Sequence, residues 1–352
     1  MTGMAGRVGM LRPAMRLLSA LLCSCAALCA QTKKAPPKIF DLAPPGTAGL
    51  SELPALFRAA MGRAYTADLP APAHRLSDLT FLSQDRKERL DLYLQHGRDL
   101  KVRQPGVLFI HGGGFTAGDK AEYRSASVSA DLARAGFVVV SCNYVLGAKD
   151  KPGVWPRNIA DCRAAVRWMR DNADALGLDP QRIAVAGGSA GGYLALMVGL
   201  SDDRTGPGGD PQAKTSAKVS AVIDMYGVVN FSKHGTGSVP GLSAAEQAAY
   251  LPENQCGPKD PPVLILHGTA DTNVALEQSE LMAAALAKAG VDHELVVVEA
   301  APHTFDLHPR GKSWKLTGVV AGRPAARESG NADLTQVTLE FLRRALGQPS
   351  GR

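Results

Sequence analysis

The sequence predicts an α/β domain built on a mostly parallel sheet, and two observations predict it. Six short runs, GVLFI (106–110), FVVVS (137–141), RIAVAG (182–187), VSAVIDMY (219–226), VLILHG (263–268) and ELVVVE (294–299), are apolar almost throughout instead of alternating with polar residues. Such runs are the mark of strands covered on both faces. Between and after them, residues 121–135, 157–174, 190–200, 275–289 and 333–346 carry apolar residues at helical spacing. Strand and helix thus alternate along the chain, the order of parallel strands joined by crossover helices.

The first 30 residues fit no part of this rhythm. Arg7, Arg12 and Arg16 precede the apolar stretch LLSALLCSCAAL (17–28), and small residues stand at Ala26, Ala27 and Ala30. A basic start, an apolar core too short to cross a bilayer comfortably and a small-residue end describe a secretory signal, here residues 1–30. Cleavage between Ala27 and Ala30 frees a chain beginning near Gln31. Leu22-Cys23-Ser24-Cys25 also resembles the box where bacterial lipoproteins are cut and acylated, which makes Cys25 a candidate lipid anchor. Either route exports the protein to the periplasm or the cell exterior. Residues 31–75, rich in Pro, Ala and Lys with one helix-like stretch at 51–61, read as a linker.

The domain proper is expected over residues 76–348. LSDLTFL (76–82) and RLDLYLQ (89–95), joined by a polar connection, predict an antiparallel hairpin. Residues 228–262, punctuated by Gly and Pro, interrupt the rhythm between two strands and predict a small cap, because loops beyond strand ends build ligand sites in such folds. Residues 309–333 form a second irregular segment with no assigned role. Composition excludes other classes. The net charge of +6 includes the three arginines of an acid-free leader, so the remainder is nearly neutral and makes no electrostatic case for nucleic acid. No later segment reaches the about 18 apolar residues of a membrane helix. Cys142, Cys162 and Cys256, the cysteines outside the leader, have no metal-ligand spacing and form no disulfide framework. Cys142 and Cys162 are either buried free thiols or a pair joining a strand end to a helix.

Chemistry enters where RIAVAG runs into Gly187-Gly188-Ser189-Ala190-Gly191-Gly192 and a helix. G-x-S-x-G in a strand–turn–helix setting is a nucleophile elbow, whose small neighbours permit the strained turn that lifts the hydroxyl above the sheet. A serine hydroxyl needs a base, and the base an orienting acid. Asp271 follows the run at 263–268 and His303 the run at 294–299, so both fall past strand ends on the same sheet edge as Ser189. Asp224, at another strand end, and His308 are their substitutes. His111 and His267, each closing a strand, read as structural histidines. GVLFI ends in His111-Gly112-Gly113-Gly114. Glycines there let backbone N–H groups approach a substrate, and the N–H groups of Gly113, Gly114 and Ala190 form the candidate oxyanion hole. Phe115, Trp155 and Tyr193 fall near these motifs, as pocket lining or as core.

HGGGF, GGSAGG, HGTAD and APHTF together resemble the α/β-hydrolase esterases of the hormone-sensitive-lipase type. Within that group, HGGGF followed by GDK, WPRNIADCRAAVRWMRDNA and HTFDLHP are similar to bacterial exported acetyl xylan and feruloyl esterases. The resemblance spans residues 76–308 and the final helix. It departs at Val145, where the group usually has Arg after Asn-Tyr, and in lacking the group's long cap. It implies the α/β-hydrolase fold with a small cap and a secreted serine carboxylesterase that uses a Ser-His-Asp triad and an acyl-enzyme. Short acyl esters, acetyl or feruloyl groups on plant polysaccharide among them, are the implied substrates, with no metal or organic cofactor. Amide hydrolysis of the arylformamidase or serine-peptidase kind uses the same groups and is the alternative.

Overall fold

The computed structural model describes residues 73–95, 97–148, 154–235, 242–305, 313–320 and 330–348. The leader, nearly all of the 31–75 linker and His308 lie outside these residues. In chain order the strands are β1 Ala73–Leu79, β2 Leu90–Gln95, β3 Gln104–Ile110, β4 Val138–Cys142, β5 Leu178–Gly188, β6 Ala221–Met225, β7 Val263–Gly268, β8 His293–Val298, β9 Trp314–Val320 and β10 Gly330–Ala332. The helices are α1 Tyr123–Arg134, α2 Arg157–Asp171, α3 Ala173–Leu176, α4 Ala190–Leu200, α5 Ala244–Gln247, α6 Glu277–Ala289 and α7 Leu334–Leu346.

All these strands join one sheet in the order β1-β2-β4-β3-β5-β6-β7-β8-β9-β10. From β4 to β8 every neighbouring pair is parallel. The flanks are antiparallel, β1 and β2 on one side and β9 and β10 on the other. The apolar runs follow from this placement. Successive side chains of a strand point to opposite faces, so a strand with helices on both sides is apolar at every position. Leu108, Ile110, Val185 and Ile265 enter a core with Ile159, Val166 and Met169 of α2 and Met282 and Leu286 of α6. Phe109, Ala184, Ile223 and Leu264 enter the opposite core with Ala130 of α1 and Val337 and Phe341 of α7. Each fully buried Val, Leu, Ile, Met or Phe side chain among them contributes about 1.5–3 kcal/mol.

Two departures from the expected boundaries bear on the sheet's flanks. Strand β1 starts at Ala73, ahead of LSDLTFL, and pairs Ala73 with Gln95. Residues 309–333, read as irregular, contain β9 and β10. In β9, Trp314 and Leu316 are buried while Lys315 and Thr317 are exposed, a period-two pattern too short to stand out beside its glycine-rich continuation. The strand forms because β8 offers an unpaired edge, and Val298 pairs with Leu316. Cys142 and Cys162 are free thiols, both fully buried, and burial, with the neighbouring Cys142 thiol, pushes the Cys162 thiol well up.

The chain reverses its direction of travel across the sheet between β3 and β5. From β3 it crosses to β4, and from β5 it proceeds the other way through β6 and β7. A crevice outside the strand ends at such a reversal is where ligands bind in open α/β sheets. The glycine loop after β3 and the serine after β5 both stand there.

Candidate active site

Ser189 joins β5 to α4 with φ 57° and ψ −121°, a conformation that costs an L-residue energy and holds only when its surroundings enforce it. Its N–H donates to the Met225 carbonyl at 2.8 Å, and its own carbonyl accepts from Tyr193 N–H at 3.1 Å, one turn into α4. Close packing completes the turn, since a Cβ added at Gly191 would collide with the carbonyl oxygen of Ile110 on β3.

The structure brings Ser189, His303 and Asp271 together. Nε2 of His303 lies 3.0 Å from Ser189 Oγ, and Nδ1 lies 2.6 Å from Oδ2 of Asp271. The Asp271 side chain is fully buried and that of His303 is 13% exposed, so the carboxylate is sheltered while the imidazole reaches the surface. Asp271 Oδ1 accepts the backbone N–H groups of Asn273 and Val274 at 2.8 and 2.9 Å. Burial alone would raise its pKa. Bonds from His267, His303 and Val274 outweigh burial and hold the carboxyl below the usual carboxylate range.

Asp224, the alternative acid, is not at this junction. It is fully buried, its Oδ1 accepts Gly227 N–H at 3.0 Å, and Oδ2 has no partner among the described residues. Burial pushes its pKa up to about 7, against a smaller opposing pull from His267.

The loop after β3 flanks the serine, for a Cβ added at Gly112 would come 3.4 Å from Ser189 Cβ. Gly113 has φ 108°, and a Cβ there would collide with the Ala117 carbonyl, which accounts for glycine at that position. The N–H groups of Gly113, Gly114 and Ala190 have no backbone acceptor among the described residues. His111 holds the loop from below. Its Nδ1 is 2.7 Å from the Gly112 carbonyl, and its ring stacks on Tyr144 at 4.4 Å. Burial lowers its pKa to about 4, so it is a neutral donor to that carbonyl at physiological pH. The GDK residues pin the far end. Lys120 N–H donates to Asn143 at 2.6 Å, Asn143 donates to Asp119 at 2.8 Å, and the buried Lys120 ammonium meets Asp91 at 3.0 Å.

Phe115, Trp155 and Tyr193 form one aromatic cluster with Phe231 and Tyr250, ring centroids 5.0–6.3 Å apart. Tyr193 is buried, and its hydroxyl donates to the Tyr250 carbonyl at 2.8 Å, tying α4 to the 228–262 segment. Phe115 and Trp155 are half-buried. Sequence reasoning missed Tyr226. It has φ 46°, and its buried ring lies 4.7 Å from the His303 ring. The only signal was its place at the end of VSAVIDMY, on the same sheet edge as the other site residues.

Residues 90–286 match the BD-FAE family model. The chain is 28% identical over 271 residues to the probable carboxylic ester hydrolase LipM of Mycobacterium tuberculosis, covering 69% of this chain and 61% of LipM. It thus spans about three fifths of that curated relative's length. Carboxylesterase NlhH of the same organism is 43% identical over 104 residues, 29% of this chain and 31% of NlhH. Among solved structures, Thermogutta terrifontis esterase 2 phosphonylated by cyclosarin superposes with a TM-score of 0.61 at 26% identity, over 81% of this chain and 98% of that one. The same esterase with butyrate bound gives 0.60 at 27% identity, over 78% and 96%.

Proposed function

The chain belongs to the BD-FAE family and has the α/β-hydrolase fold, and on that premise we propose that it is an exported serine carboxylesterase acting on short acyl esters. The observation that carries this reading is the unbroken contact from Ser189 Oγ through the His303 ring to Asp271, at 3.0 and 2.6 Å. Ser189 Oγ attacks the ester carbonyl as Nε2 of His303 takes its proton. The N–H groups of Gly113, Gly114 and Ala190 receive the oxyanion, a stabilisation of about 3 kcal/mol per donor in comparable sites. His303 returns the proton to the leaving alcohol, and water, deprotonated by the same ring, releases the acid from Ser189. Asp271 stays ionised throughout and fixes the imidazole tautomer that presents Nε2 to the serine.

Acyl size follows from the surroundings. The 228–262 segment is short, and beyond the aromatic side chains packed in its cluster it is punctuated by Gly, Pro and polar residues, so it is too small a cap to cover a long acyl chain. Each methylene left in water forgoes about 0.8 kcal/mol. The Thermogutta terrifontis relative has been solved with butyrate bound, in keeping with a short acyl group. Acetyl or feruloyl groups on plant polysaccharide are the proposed natural esters, on the strength of the sequence resemblance, and the basic-apolar leader with Cys25 supports export with or without a lipid anchor.

Purified protein assayed on acyl esters of increasing length tests this. Acetyl and butyryl esters are expected to turn over faster than chains of about ten carbons or more, and acetate to be released from acetylated xylan. Ser189→Ala and His303→Ala are each expected to lose roughly four orders of magnitude in kcat with the fold intact, and a phosphonylating reagent to label Ser189 alone. Preference for palmitoyl esters or for a formamide would overturn the substrate class. Wild-type turnover in Ser189→Ala would overturn the mechanism.

A further inference from the structure

His267 closes β7 and is fully buried. Its Nε2 stands 2.9 Å from the Val274 carbonyl oxygen and 3.3 Å from Oδ2 of Asp271, and its Nδ1 is 2.6 Å from Ser279 Oγ on α6. A carbonyl and an ionised carboxylate only accept, so Nε2 carries a hydrogen shared between them. In the neutral ring, Nδ1 then accepts from the Ser279 hydroxyl. The Val274 N–H in turn donates to Oδ1 of Asp271. The imidazole therefore binds one carboxylate oxygen directly and also grips the residue that binds the other.

We infer that His267 is a positioning residue for Asp271, sharing Oδ2 with His303 and fixing the direction from which that oxygen meets Nδ1 of His303. This rests on the Ser189–His303–Asp271 reading proposed above. Two rings converge on one oxygen, the buried His267 from β7 and the partly exposed His303 from the loop after β8. With the His267 donor removed, the carboxylate is free to turn, and a base held at the wrong angle loses turnover more than substrate affinity. Its negative charge is also less shared, so it stabilises the His303 imidazolium more strongly and moves the acid limb of kcat/KM to higher pH. The charged groups facing His267 are Asp271 from the loop after β7 and Asp224 from β6, whose carboxyl is within electrostatic reach of it. From α6 it meets the uncharged Ser279 hydroxyl, and His234, from the segment after β6, is within electrostatic reach of both His303 and Asp271.

The test compares His267→Phe, which keeps a ring without the donor, with His267→Gln, whose side-chain amide reaches the place of Nε2–H, using p-nitrophenyl acetate. His267→Phe is expected to lower kcat about tenfold or more, a cost typical of a misoriented catalytic group. KM is expected to change less than about twofold, and the acid limb to rise by about half a pH unit. His267→Gln is expected to recover most of both. Should His267→Phe fail to fold, Ser279→Ala carries the test, since it removes only the hydroxyl behind the ring, and a smaller shift in the same direction is expected. The same limb is read in an Asp224→Asn background. A shift that vanishes there belongs to Asp224 and overturns the inference. Wild-type kcat with an unmoved limb in the folded variant also overturns it, while an inactive Ser189→Ala leaves the triad standing. An active Ser189→Ala would instead remove the reading beneath it.

Discussion

Asp224, near the end of β6, and Asp271, in the loop after the adjacent parallel β7, meet opposite fates. Both carboxyls are buried, and burial raises the pKa of each. Asp271 is surrounded by N–H donors from His267, His303, Asn273 and Val274 and stays ionised well into acid. Asp224 has one such donor, so burial wins and its pKa stands at about 7. A folded-state value above the unfolded one means that folding favours the protonated acid. That stability is fully present below the ordinary carboxylate range and is lost as pH rises through about 7, on the order of 1 kcal/mol for each unit of displacement. Asp224→Asn, which keeps the acceptor for Gly227 N–H, is therefore expected to gain stability over the parent as pH increases from 5 to 8. Chemical denaturation across that range checks it. A constant difference between the two proteins would show that Asp224 is not protonated on folding.

Strand β9, between β8 and the outermost β10, packs toward the site through aromatic rings. Trp314 is buried 6.5 Å from the Phe305 ring, Phe305 stands 5.0 Å from Tyr226, and Tyr226 lies 4.7 Å from His303. The loop after β8 that carries His303 is thus backed by β9 of the antiparallel flank. Trp314→Ala is expected to cost about 3–5 kcal/mol of unfolding free energy through the cavity it leaves. It is also expected to lower kcat more than it raises KM, because His303 rests on that stack. Urea denaturation with kinetics on one ester tests both parts, and unchanged kcat in the destabilised variant would separate β9 from the site. Helix α4 is constrained differently. Its start must approach β3 at Gly191 within backbone contact, and a buried apolar surface from Tyr193 to Leu200 keeps it central.

At the scale of the molecule, a parallel centre with antiparallel flanks sets the strand ends of β3, β5, β7 and β8 along one edge, and every proposed site residue lies just beyond one of these ends. Export is proposed from the sequence of residues 1–30 and has its own test. Expressed with residues 1–30 in an exporting bacterium, the protein is expected to begin between Ser24 and Gln31 in the exported fraction, a result read by N-terminal sequencing. Recovery of an intact Met1 in soluble cytoplasmic protein would overturn the export proposal.

Periodicity and turn chemistry are local, and what they encode was legible in the sequence by itself. It determined the fold class through strands apolar at every position, the elbow at Ser189 through small residues at a strand-to-helix turn, and the candidates past strand ends. Local pattern could not decide between Asp224 and Asp271, because each stands at or just past the end of an apolar run. The choice depends on which strand end faces His303, and that is set by strand order across the sheet. Strand β9 was hidden because it draws its backbone partners from β8, which precedes it in the chain by a separate element of irregular sequence. His267 looked like any buried histidine. Only folding the 269–274 loop back beneath β7 brought its Nε2–H to Asp271, since a hydrogen bond is specified by direction and distance in space and not by spacing along the chain.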